Sequence, residues 1–313
     1  MGTAKKYKIF CVDAFEWLAK RRASSIHAVV TDPPYGIIEY TPIELAKRRN
    51  GKGGIWRLPQ MYDGHKRMPM PRFTVLRAPD HHRIEEFHAR LAPLLYRVLV
   101  PGGHVVIASQ NLLSHLVTTG FCNAGFEFRG QIARLVRTLR GGDRPKGAHD
   151  IYPDVSVSPR SCWEPWLIFR KPCEGLVKDN LRKWKTGGLR RPHRDRPFSD
   201  LISSVPARGV ERRIAPHPSL KPQAFMRQIV EAVLPLRRGV ILDPFMGSGA
   251  TIAAAEVVRL RSIGLEISRE YFRLAKNAVP KLSKLGATTA SPLSPPEARA
   301  GGRRWRKGPL SRR

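Results

Sequence analysis

The 313-residue chain is poor in acidic side chains: 25 Asp and Glu stand against 56 Lys and Arg, a formal net charge of +31. The deficit selects no fold. It predicts attraction to a polyanion, with nucleic acid the leading candidate and a merely solvated basic surface the competing reading. Cysteine is scarce as well. Cys11, Cys122, Cys162 and Cys173 are scattered without a CxxC pair, which argues against a zinc site or a disulfide framework and for a reducing compartment. No apolar run is long enough to span a membrane. The opening "MGTAKKYKIFCVDAFEWLAKRR" carries Asp13 and Glu16 inside its apolar part, unlike a signal peptide. Lys6 stands where a myristoylation signal after Gly2 wants Ser or Thr. The expectation is a soluble cytoplasmic protein with no membrane partner and no metal site.

What is present is an α/β rhythm. Apolar residues make up 42% of the chain, enough for a sizeable core. Residues 7–12 read as a buried strand and "DAFEWLAKR" as a helix, with Phe15, Leu18 and Ala19 on one face. "HAVVT" is a second strand ending at Asp32. "FHARLAPLLYRVL" is a helix that "PGG" at Pro101–Gly103 stops, and "HVVIAS" begins another strand. The pattern resumes with strand "GVILD", helix "TIAAAEVV", strand "SIGLE" and helix "REYFRLAKNAV". Strands alternating with helices predict a parallel sheet covered on both faces.

Two stretches break the rhythm. Residues 41–83 hold ten Lys and Arg against three acids, with Trp56, Tyr62 and Phe73 interleaved; residues 176–215 hold eleven against four, with Trp184 and Phe198. Flexible surface loops fit this composition; so does backbone neutralisation with base stacking. Residues 286–313 are low-complexity, then basic, and predict a disordered tail.

Two motifs carry chemistry. "VILDPFMGSGAT" sets Asp243, Pro244 and Phe245 at a strand end, then Gly247 and Gly249, then a small-residue helix. Glycines at a strand-to-helix turn let a ligand approach the backbone. Glu266 lies 23 residues after Asp243, at the end of the next strand, where a nucleotide-binding βαβ unit places the acid that takes ribose hydroxyls. GxGxxG is absent, since position 252 is Ile, and no GxxxxGK[ST] occurs. Close approach without a pyrophosphate grip suits an adenosine cofactor without phosphates, S-adenosylmethionine above all. The other motif is "TDPPYG", with Asp32, Pro33, Pro34 and Tyr35 after a buried strand. A rigid turn is the plain alternative for it.

"TDPPYG", "HPSLKP" and "DPFMGSGAT", in that order, resemble the β-class amino-group DNA methyltransferases over roughly residues 7–280. The resemblance implies a circularly permuted Rossmann-like sheet, with 239–243 and 262–266 as its first two strands, then 7–12, 27–31 and 104–109. Relocated surface termini leave such a sheet unchanged. It implies one methyltransferase domain over 1–285, with 41–83 as a basic loop closing over the nucleotide and 176–215 as the target-recognition region.

It also implies roles. Asp32 and the Pro33 carbonyl accept the two N–H groups of an exocyclic amine, localising its lone pair for attack on a sulfonium methyl. Pro34 stiffens the turn, and Tyr35 stacks on a flipped base. Asp13 falls near the cofactor's adenine, although Val12 replaces the usual Gly and a helix N-cap is the alternative. Ser219 and Lys221 approach the methionine end, where Lys221 meets the cofactor carboxylate. Thr251 contacts the cofactor alone, because position 250 is Ala where the family often has Thr. Double-stranded DNA is the implied partner. A homodimer and a cognate restriction enzyme are further partners the family allows.

The acid at position 32, where N4-cytosine members more often carry Ser, favours adenine N6, with N4-cytosine open. Methylation of RNA or of a protein glutamine more often goes with Asn-Pro-Pro-Tyr and unpermuted order. Cytosine C5 chemistry needs a Pro-Cys nucleophile, and only Cys173 follows a proline, without the family surroundings. An inactive DNA-binding relative is the non-enzyme reading, against which intact Asp32, Tyr35, Gly247, Gly249 and Glu266 argue.

Overall fold

Nearly continuous buried runs in the central strands and amphipathic helices assemble into one main mixed sheet with helices on both faces. The computed structural model describes residues 5–34, 61–62, 65–68, 78–136, 139–140, 145, 147–148, 150–157, 159, 162–207, 209–217 and 219–286. The strands are β1 (Tyr7–Cys11), β2 (Ile26–Thr31), β3 (Met61–Tyr62), β4 (His65–Met68), β5 (Leu99–Ala108), β6 (Glu127–Leu135), β7 (Leu139–Arg140), β8 (Trp163–Arg170), β9 (Leu201–Ser203), β10 (Val240–Asp243) and β11 (Arg261–Glu266). The helices are α1 (Ala14–Lys20), α2 (Ala78–Val98), α3 (Ser114–Asn123), α4 (Val177–Trp184), α5 (Gly209–Ile214), α6 (Gln223–Ala232), α7 (Ala250–Val257) and α8 (Arg269–Leu282).

Eight strands line up as β1-β11-β10-β2-β5-β8-β6-β9. The first five are parallel; β8 runs antiparallel to β5 and β6, and β9 is parallel to β6. This is the permuted order that the family resemblance implies. The C-terminal strands β10 and β11 insert between β1 and β2, the two N-terminal ones. β3, β4 and β7 form a separate small sheet.

β2 shows why the sheet needs both layers. Ala28 and Val30 pack with Phe225, Ile229 and Val230 of α6, while Val29 packs with Leu91 and Leu95 of α2 and Phe121 of α3. Each large side chain buried this way contributes about 1.5–3 kcal/mol. Local signals set the helix starts. Asp13 caps α1 by accepting from the Glu16 amide at 2.9 Å, and Ser268 caps α8 by accepting from Tyr271 at 3.3 Å.

Three expectations are corrected. α2 begins at Ala78 rather than near Phe87; its first turns show little apolar periodicity, with Ile84 buried among exposed Arg83, Glu85 and Glu86. "PGG" does not separate helix from strand. α2 ends at Val98, β5 starts at Leu99, and the pairing jumps from Ile26–Leu99 to Ala28–His104 across a bulge. Gly102 makes it with φ +73°, and a Cβ there would lie 2.3 Å from the Asn180 amide nitrogen. Third, the flexible-loop reading that the composition of 176–215 allowed does not hold. The segment contains α4, β9 and α5, and β9 extends the main sheet. Buried Asn180 of α4 donates to the carbonyls of Pro101 (3.0 Å) and Thr186 (2.8 Å) and accepts from the Glu174 amide (3.0 Å). Tyr35, most of 41–77 and the tail from 287 lie outside the described residues. No helix among those described is long and apolar enough to cross a membrane.

Candidate active site

Parallel strands deliver the residues that follow them to one edge of the sheet, where open α/β folds bind ligands. Here the ends of β1, β2, β10 and β11 present Asp13, Asp32, Asp243 and Glu266 around a cavity of about 750 Å³. The two motifs are joined directly. The Thr31 hydroxyl, one residue before Asp32, donates to Asp243 Oδ1 at 2.8 Å. The same oxygen accepts from the Phe245 amide at 3.2 Å, and the Thr251 side chain also hydrogen-bonds Asp243. Burial pushes the Asp243 carboxyl up to about 7, although these donors favour its charged form; the nearby Asp32 adds to the rise.

The glycine turn is braced from β11. Glu266 accepts from the Gly247 amide (3.0 Å) through Oε2 and from the Ser268 amide (2.8 Å) through Oε1. Gly247 sits at φ +53°, and a Cβ would come within 3.1 Å of the His217 ring. That ring stands edge-on to Tyr271, centroids 4.4 Å apart, and accepts from the Ser219 amide through Nδ1 at 3.2 Å. Burial, then the cations Lys221 and Arg212, hold His217 down at about 4, so it is neutral at physiological pH.

Asp32 belongs to a four-membered charge network. Lys221 Nζ lies 2.6 Å from Asp32 Oδ2 and 3.5 Å from Glu164 Oε1. Glu164 Oε2 takes Arg134 at 2.9 Å, and its Oε1 takes the Trp166 indole N–H at 2.8 Å. Burial pushes the Asp32 carboxyl above its usual range; Lys221 opposes the rise and Glu164 adds to it. Glu164 is also raised by burial, but Lys221 and Arg134 outweigh that and hold its carboxyl low. Two cations and two carboxylates share a half-dry pocket wall, a balance that tolerates little change.

A DNA methylase family model (N6_N4_Mtase) matches residues 26–277. The type II methyltransferase M.HindIII of Haemophilus influenzae is 23% identical over 292 residues, covering 86% of this chain and 94% of its own. A DNA modification methylase from Thermus thermophilus, solved in complex with S-adenosyl-L-methionine, superposes with TM-score 0.55 at 19% identity, over 89% of this chain and 95% of that one. The PvuII DNA methyltransferase, which is cytosine-N4-specific, superposes with TM-score 0.56 at 13% identity, over 91% and 89%. The chain belongs to the DNA methylase family.

In this methylase the cavity is lined by Asp13, Asp32, Pro33, Pro34, Ser219, Lys221, Asp243, Pro244, Phe245, Gly247, Thr251 and Glu266, residues that lie far apart in the chain. Asp13 does so while also capping α1. Gly249 departs from expectation. It does not line the cavity; it starts α7 at φ +84°, and a Cβ would lie 2.4 Å from Val279 Cγ2 of α8. Its bareness serves helix packing. The Lys221 ammonium, expected on the cofactor's carboxylate, is engaged by two carboxylates of the protein. Sequence reading missed Glu164, Arg134 and His217. A signal existed for the first two: each is a charge within an apolar strand, "EPWLIF" and "QIARLV", and a buried charge requires a partner.

Proposed function

We propose that this DNA methylase transfers a methyl group from S-adenosylmethionine to the exocyclic N6 amine of adenine in double-stranded DNA. The observation that carries the reading is Asp32: it sits at the cavity wall, one oxygen fixed by Lys221 at 2.6 Å. With Oδ2 held, Oδ1 is left to accept an N–H from a substrate amine.

The cavity suits the cofactor. Phe245 and Phe87, 5.7 Å apart, with Phe15 packed against Phe87, give an apolar wall for a flat base. Asp13 and Glu266 supply acceptors for amino and hydroxyl groups, and the bare Gly247 leaves room beside His217. When bound, S-adenosylmethionine supplies an electrophilic methyl group on a sulfonium sulfur. Asp32 and the Pro33 carbonyl accept the amine's two N–H bonds, which localises the nitrogen lone pair and stabilises the positive charge that develops there. Pro33 and Pro34 keep that carbonyl from turning away. Lys221 and Glu164 position Asp32 rather than touch the amine. Residues 176–215, anchored by Asn180 and by β9, read the target sequence within a single catalytic domain.

The test is incubation with S-adenosylmethionine and unmethylated DNA, followed by nucleoside mass spectrometry. N6-methyladenine is expected, with Asp32→Ala at least about 100-fold slower and cofactor binding kept. N4-methylcytosine would keep the mechanism and change the base. Neither product would defeat the reading.

A further inference from the structure

The cavity occupies one end of the parallel strands β1, β10 and β11. Their opposite end carries a second concavity of about 560 Å³, whose rim includes Lys5, Lys8, Arg238, Arg259 and Arg261. Lys6 and Arg237 complete it, so seven cations face one another across a floor of Tyr7, Gly239 and Leu260. Like charges this close repel, and a partner must offset the repulsion. Local acids do so incompletely. Glu231 pairs with Arg237, and Glu256, beside Tyr7, accepts the Lys6 backbone amide at 3.0 Å. Among the described residues, no carboxylate forms an ion pair with Lys5, Lys8, Arg238, Arg259 or Arg261.

The backbone marks the same place. Arg237 (φ 55°) and Arg259 (φ 59°) both adopt the left-handed conformation that glycine takes without strain. The chain uses glycine two residues after the first of them, at Gly239 with φ +129°. Arg237 uses its side chain locally, pairing with Glu231 and donating to the Val258 carbonyl at 2.6 Å, whereas arginine at the second strained turn adds a cation to the rim. One side chain is already committed there: Lys6 Nζ donates to the Arg259 carbonyl at 3.1 Å, drawing the N-terminal segment over the turn before β11.

We propose that this cleft is a second polyanion site, which holds the phosphodiester backbone of one DNA segment while another occupies the active-site cavity. The two concavities are separated by the strands between them, four to six residues long, or about 13–20 Å. They open at opposite edges of the sheet. One duplex entering both would have to reverse direction within a single domain's width, far below its persistence length of about 500 Å, at a high bending cost. The segments are therefore different ones. The cleft offers charge without an exposed stacking platform, Tyr7 being half-buried beneath Lys5, so it grips backbone and not bases. Its function is direct transfer: a second segment docks before the first leaves. The inference rests on membership of a DNA methylase family and not on which base is methylated.

The test uses the full-length protein and the variant K5Q/K8Q/R238Q/R261Q. Release of a short fluorescent duplex is followed at low salt as unlabelled duplex is added. The wild-type off-rate is expected to rise in proportion to competitor concentration, and the variant's to stay flat while it methylates the same duplex at the wild-type rate. A wild-type off-rate indifferent to competitor overturns the proposal. So does an equal rise in the variant, which would assign transfer to other basic segments. If inorganic tripolyphosphate at equal charge speeds release as well as duplex does, the cleft takes small polyphosphates and the DNA assignment falls. Should the fourfold variant lose methylation, K5Q/K8Q alone, exposed at the start of β1, is expected to lower the dependence on competitor by about half, through two lost phosphate contacts; an unchanged dependence counts against the proposal.

Discussion

Lys221 Nζ lies 2.6 Å from Asp32 Oδ2 and 3.5 Å from Glu164 Oε1, so a single ammonium is shared by a carboxylate from the end of β2 and one from β8. Their effects on Asp32 have opposite signs. The Lys221 charge lowers its pKa and the Glu164 charge raises it. If transfer requires ionised Asp32, the acid limb of kcat/KM moves to higher pH in Lys221→Met and to lower pH in Glu164→Gln. A merely structural role would lower both rates without moving the limb in opposite directions. pH profiles of the two variants on one DNA substrate decide this.

Asp243 makes stability depend on pH. Burial raises its carboxyl from 3.8 to about 7. Between those values the folded chain holds a proton that the unfolded chain has released. Its stabilisation is therefore full below about pH 4 and is lost as pH rises through 7. Asp243→Asn keeps an acceptor for Thr31 and Phe245 but does not titrate. The melting temperature of wild type minus that of the variant is expected to fall across this window. A constant difference would mean that Asp243 is ionised throughout.

Gly249→Ala tests whether that glycine serves packing or ligand approach. The added methyl meets Val279 at 2.4 Å and the residue keeps φ +84°, so we expect a loss of about 2–3 kcal/mol. Val279→Ala in the same chain restores part of it by removing the clash. Cofactor affinity of the folded fraction stays unchanged. Weaker binding without lower stability would restore Gly249 to the cavity.

Asn180→Leu takes the side-chain partner from the Thr186 carbonyl and the Glu174 amide, while the Pro101 carbonyl keeps the Thr186 hydroxyl at 2.6 Å. Leaving such groups unpaired costs about 1–3 kcal/mol each where water does not reach them. Hydrogen exchange is expected to quicken first in α4 and around Thr186, before the rest of the sheet opens. Uniform acceleration would mean that this segment does not unfold on its own.

The central sheet was legible because its strands are short apolar runs ending in distinctive residues: Asp32, Asp243 and Glu266 mark three of its ends. The motif residues were legible for the same reason, since chemistry at a strand end requires particular types at fixed positions. The charge network was not. Arg134 and Glu164 become partners only when β6 and β8 pair, and Lys221 reaches Asp32 across 189 positions of sequence. The bulge at Pro101–Gly103 was hidden similarly: what demands glycine at 102 is Asn180, a neighbour only in the folded chain. The region 176–215 left a loop reading open because its arginines and glycines mask a short helix fastened by one buried amide.

The insertion of β10 and β11 between β1 and β2 has a consequence for synthesis. β1 pairs only with β11 in the described sheet, and β2 meets β10 along one side. A nascent chain that has emerged only as far as α6 has β1 without a strand to join and one side of β2 open, two edges that invite wrong pairing. It also lacks the Gly247 turn and Glu266. Among the described residues, β10 and β11 thus complete the sheet and the cavity together.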